Sequence, residues 1–173
     1  MDQLTRISQI IEEYDSQGYH RTGTKTDHKS ADWLAQKVHN LGLETVHEKF
    51  LLKRIVPISS NFNVEGRVIE GLPMFDCLYT DKSGISGTTG NIGDDVDIAV
   101  IEIHHGAGGY TDELLKARTS GKYKGIIAIT IGEEPGLMAI NTPNFNENFG
   151  IPVLQVSSKE KEFLSDITRF KTV

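Results

Sequence analysis

The residues best suited to chemistry in this chain are two adjacent histidines, His104 and His105. They lie between the β-branched run Ile98-Ala-Val-Ile-Glu-Ile103 and the glycine run Gly106-Ala-Gly-Gly109. Imidazole binds transition metals and exchanges protons near neutral pH, so a metal centre or a general base is the chemistry to test. Neighbouring strand residues point to opposite faces, so this pair does not readily chelate one ion. A zinc site needs further ligands at workable spacing, and neither a His-Glu-x-x-His segment nor paired cysteines occur. A structural or solvent-facing role is expected for both. His20, His28, His39 and His47 are scattered over loop, helix and strand segments, with His39 facing solvent beside Lys37 and Asn40, and no spacing joins any two of them.

Gly106-Ala-Gly-Gly109 is the second candidate. Backbone N–H groups there could hold an anion at the start of the following helix. The dinucleotide fingerprint Gly-x-Gly-x-x-Gly is incomplete, because Thr111 stands where the third glycine belongs. Asp112 and Glu113 would repel phosphate, and Glu133 and Glu134 come late for a ribose contact. A tight turn is the expected role. Ser86, Ser120, Ser157 and Ser158 lack the Gly-x-Ser-x-Gly context of a nucleophile elbow. Asp94-Asp-Val-Asp97 lacks the spaced ligands of a calcium loop and reads as a solvated turn. Cys77, in Pro73-Met-Phe-Asp-Cys-Leu-Tyr79, is the single cysteine and is expected to be a small buried hydrophobe.

Elements must exist to position any of these groups. Leu4, Ile7, Ile10, Ile11 and Tyr14 have helical spacing over residues 4–16, and Gly18 stops that helix. A polar loop follows over 19–26. Thr26 or Asp27 can then cap a second helix carrying Ala31, Leu34, Val38 and Leu41, with Gly42 as its stop. Residues 45–55 look extended, and Pro57-Ile-Ser-Ser60 is a break. From Phe62 the character changes to short β-type segments at 63–69 and 74–79, then a loop at 84–93. Residues 97–131 read as strand, glycine turn, helix, strand. Thr111 caps that helix, Asp112 and Glu113 complement its dipole, Leu114, Leu115 and Ala117 form its apolar face, and Gly121 ends it. Such a unit implies a right-handed crossover between parallel strands. A last helix begins at Ser157 or Ser158 and carries Phe163, Leu164 and Ile167. The expected class is α/β: a β-rich core with a βαβ unit, preceded by a two-helix arm. The boundary is placed near residue 50, giving an arm over 1–50 and a second domain over 51–173.

Composition bounds the partners. The chain has 173 residues, long enough to bury a core without staples. Its net charge of −6 and scattered lysines and arginines argue against nucleic acid or an anionic membrane as the main partner. No run of about eighteen apolar residues is present. The start reads as an amphipathic helix rather than a secretory signal, and one cysteine excludes an internal disulfide framework, so a cytoplasmic protein is expected.

Residues 62–158 resemble a protease-associated (PA) domain. The resemblance rests on Gly84-Ile-Ser-Gly-Thr-Thr-Gly90, Asp97-Ile-Ala-Val-Ile-Glu-Ile103, the 112–121 helix, Lys124-Gly-Ile-Ile-Ala-Ile129 and Ile151-Pro-Val-Leu-Gln-Val-Ser157. Residues 19–50 resemble the N-terminal segment of co-catalytic zinc aminopeptidases, through His20-Arg-Thr-Gly-Thr24, Ala31-Asp-Trp-Leu-Ala35, Leu41-Gly-Leu-Glu-Thr45 and a strand ending near Phe50. In that family the PA domain is inserted after this segment, and the order here is the same. The resemblance implies that the zinc ligands and catalytic glutamate follow the PA insertion, beyond Val173. It therefore implies no catalytic, cofactor-binding or metal residue in this chain, with zinc belonging only to the portion not present. What it implies here is a non-catalytic lid or interaction module. The alternative is the accessory half of an active zinc-dependent aminopeptidase or carboxypeptidase. The expected partner is a peptide, a protein or a second copy held through the N-terminal helices.

From this reading the purified chain is expected to show no turnover of an aminoacyl-anilide and no stoichiometric zinc after dialysis, because no set of three or four spaced ligands is legible. One tightly held zinc per chain, or turnover above blank, would contradict it.

Overall fold

The computed structural model describes residues 2–53, 56–144 and 147–169, the side chains of 107 and 169 excepted. The chain divides into two compact units, residues 1–55 and 56–173. The first holds two helices, α1 (Gln3–Asp15) and α2 (Lys25–His39). Asp2 caps α1 by accepting from the Thr5 N–H. The cap of α2 is Thr24, which accepts from the Asp27 N–H, so the helix starts earlier than Thr26 or Asp27 would allow. The Asp27 carboxylate instead accepts from the Gly23 N–H, fixing the loop that feeds the helix. Residues 43–53 adopt no regular structure, where an extended segment to Ile55 is expected from sequence; Arg54 and Ile55 lie outside the described residues.

The second unit is a mixed α/β fold around one six-stranded sheet in the order β1-β2-β6-β5-β4-β3. Its strands are β1 (Asn61–Val64), β2 (Arg67–Pro73), β3 (Thr89–Asn91), β4 (Ile98–His104), β5 (Gly125–Ile131) and β6 (Val153–Ser157). Helix α3 (Asp112–Thr119) joins β4 to β5, and α4 (Lys161–Arg169) follows β6. Strands β3 to β6 run parallel, and β2 lies antiparallel to β6. The 63–69 segment is not one strand. Glu65 and Gly66 take positive φ angles of 50° and 79°, which makes a two-residue hairpin turn between β1 and β2. Residues 74–79 form only an isolated bridge, Cys77 to Phe149, and the 84–93 loop contains the short β3.

Alternation explains how the sheet is covered. Ala99, Ile101 and Ile103 of β4 pack with Ile126 and Ala128 of β5 against Leu114 and Ala117 of α3. The intervening Ile98, Val100, Ile127 and Ile129 pack on the other face with Val156, Phe62, Ile69 and Leu164 of α4. A strand buried on both faces reads as a continuous β-branched run, which is what the sequence shows at both places. The turn after β4 is tight. Ala107–Gly109 form a 3-10 turn, and a Cβ on Gly109 would run into the His104 carbonyl and the Ile140 side chain. Thr111 caps α3 by accepting from the Leu114 N–H at 3.2 Å.

Two outcomes follow. Thr111→Ala is expected to lower stability by roughly 1 kcal/mol, read from the urea midpoint, with the sheet intact. The second concerns Asp97, which accepts from Lys124 Nζ at 2.9 Å and from the Thr88 N–H at 2.9 Å. The lysine, then the amide, holds this carboxyl below its ordinary value. Its contribution is thus fully present above about pH 3.9 and is lost as pH falls through the lower folded value. Acidification is expected to destabilise the native chain more than Asp97→Asn, in matched urea titrations at neutral and acid pH.

Candidate functional site: an uncovered apolar surface

His104 ends β4 and His105 follows it, and both are exposed. The His105 N–H donates to the Ile131 carbonyl at 3.1 Å, and its ring lies over Gly132 beside Met138. The other histidines are dispersed. His28 and His39 are exposed on α2, and His47 Nδ1 lies 3.9 Å from Asp32 Oδ1. Among the described residues no three His, Cys, Asp or Glu side chains are placed to hold a metal ion. Asp94 accepts from the Asn91 N–H and so shapes the turn after β3. Ser157 Oγ accepts from the Lys159 N–H, and Ser158 Oγ accepts from the Gly136 N–H. Cys77 is buried, and that burial pushes its thiol upward, the wrong direction for a nucleophile.

Two polar centres join residues separated in the sequence and have no local sequence signature. In the second unit Arg118 and Asp76 are fully buried as a pair, with Nη1 3.0 Å from Oδ1. That contact is out of line for a hydrogen bond, leaving Arg118 Nε and Nη1 and Asp76 Oδ1 without a directed partner. Nη2 donates to the carbonyls of Asp76 and Phe149, at 3.0 and 3.1 Å, and the guanidinium stacks 4.1 Å from the Phe149 ring. Tyr110 donates to Asp76 Oδ2 at 3.3 Å and accepts from Asn144 at 3.1 Å. Burial first, then the Asp76 charge, raises the Tyr110 phenol. This network ties α3 to both the 74–77 segment and the return toward β6. The available signal was positional: Arg118 lies four residues after Leu114, on the buried face of α3.

In the first unit the ring of His20 stacks on Tyr14 at 3.8 Å. Its Nε2 meets the Tyr14 carbonyl at 2.9 Å, and its Nδ1 meets Ser30 Oγ at 2.8 Å. A carbonyl only accepts, so Nε2 carries a proton, while the single Ser30 hydroxyl proton has both Nδ1 and the Thr26 carbonyl, at 2.8 Å, within reach. Ser30 Oγ also lies 3.0 Å from Gln17 Oε1, while the buried Gln17 Nε2 has no partner. Turning the Gln17 amide over gives that nitrogen an acceptor and relieves the crowding of acceptors on one hydroxyl. A serine beside a histidine suggests a nucleophile, but Ser30 is only 7% exposed and sits inside α2, where backbone N–H groups are committed to the helix. The arrangement works as a polar knot joining the end of α1 to α2.

That knot stands in place of a core. Among the described residues of this unit, Ser30 is the one buried side chain. Leu4 is 78% exposed, Ile11 60% and Leu34 56%. In the irregular run that follows, Val46 is 86% and Phe50 72% exposed. Glu13 pairs with Lys37 and accepts from Trp33 Nε1, yet these contacts lie at the surface. Burying one large aliphatic side chain stabilises by roughly 1.5–3 kcal/mol, a gain these exposed side chains do not realise. No helix among the described residues is long and apolar enough to cross a membrane. Set beside family models, curated proteins and solved structures, the chain matches none.

The buried pair yields an asymmetric expectation. Asp76→Asn or Arg118→Met alone is expected to cost about 3–5 kcal/mol, because each leaves a charge buried and unpaired. The double variant's loss should fall well short of the sum in urea unfolding; additive losses would mean the two groups do not interact.

Proposed function

We propose that this chain is a non-catalytic PA-type interaction or lid module of a zinc aminopeptidase-like protein, working in the cytoplasm with a peptide or protein partner rather than nucleic acid or membrane. One observation carries the reading: a well-packed α/β unit follows an arm whose apolar side chains are left uncovered. An arm of that kind suits a segment that belongs against a sheet outside these residues. The resemblance of 19–50 to the start of a zinc peptidase supplies such a sheet, and in the alternative form the parent is an active peptidase whose catalytic residues lie beyond Val173. The second unit would then act beside a cleft, selecting substrate or holding a partner. Its only thiol is buried, in keeping with a reducing compartment.

A second reading, self-association through the helices, has its own support. Leu4, Ile7, Ile11 and Tyr14 are spaced symmetrically about residue 9. Two antiparallel copies of α1 would place Leu4 against Tyr14 and Ile7 against Ile11, as in an isologous helix bundle.

Sedimentation and hydrogen exchange test both readings. With no other partner present, the full chain is expected to self-associate, with α1 and α2 exchanging faster than β4, β5 and β6. Residues 56–173 alone should remain a folded monomer. A monomeric full chain with both helices protected as well as the strands would overturn the idea of an uncovered arm.

A further inference from the structure

We draw no further inference here: the strongest candidate, the apolar faces of α1 and α2 with the irregular run 43–53 after them, belongs to the surface already described, and nothing in the structure shows what covers it.

Discussion

The pairing of β4 with β5 is the constraint on which the second unit depends. Seven residue pairs in parallel register run from Ile98 opposite Gly125 to His104 opposite Ile131. Side chains alternate between two faces, and both faces carry β-branched residues. Neither face can be left in water, so the chain must supply a layer on each side. Helix α3 covers one and α4, with the β1–β2 hairpin, covers the other. The remaining strands extend the sheet on either side of this pair. Strand β6 adds in parallel beside β5, and β2 closes against it in the opposite sense. Strand β3 joins the far edge although only residues 92–97 separate it from β4. So short a return between parallel strands works because β3 is three residues long, roughly 10 Å of chain.

The Arg118–Asp76 pair is a second constraint of a different kind. A buried ion pair is a weak source of net stability, since desolvation offsets much of the attraction. Its value here is positional. The connection between β5 and β6 spans residues 132–152, and its described residues form no helix or strand. Connections of that length are uncommon in compact domains unless something holds them. Arg118 holds this one through the Phe149 carbonyl, Asn148 holds it through the carbonyls of Phe75 and Cys77, and the Ile140 N–H donates to the buried Gln155. An apolar replacement could fill the same space but would not supply donors to those carbonyls.

Legibility tracked the kind of interaction. The β4–α3–β5 unit was readable because each signal is local: a β-branched run, a threonine cap, acidic residues in the first turn, and a glycine stop at Gly121 with φ 71°. The hairpin at Glu65-Gly66 was missed because Glu at positive φ is uncommon, so a strand-like run concealed a turn. The start of α2 was misplaced because three candidate caps, Thr24, Thr26 and Asp27, stand close together, and Asp27 is used on the Gly23 amide instead. The ion pair and the His20–Ser30 knot were invisible because each joins residues whose proximity only the fold creates.

The two units differ in what their apolar residues have found. In the second, Leu164 is fully buried and Ile167 is 4% exposed, so the stripe of α4 is spent on the sheet. In the first, a comparable stripe on α1 buries none of its residues. Helices of this length are marginal in water when tertiary packing is absent. What holds the pair is a small aromatic cluster of Tyr14, His20 and Trp33 together with polar contacts, the Ser30 hydrogen bonds and the Glu13–Lys37 pair. Polar contacts of this sort fix geometry but contribute little net free energy, because water offers the same groups nearly equal partners. An arm built in this way has a defined shape and an unsatisfied apolar surface together. The contrast between the units therefore lies in where their apolar side chains sit, in a packed core in the second and at the surface in the first.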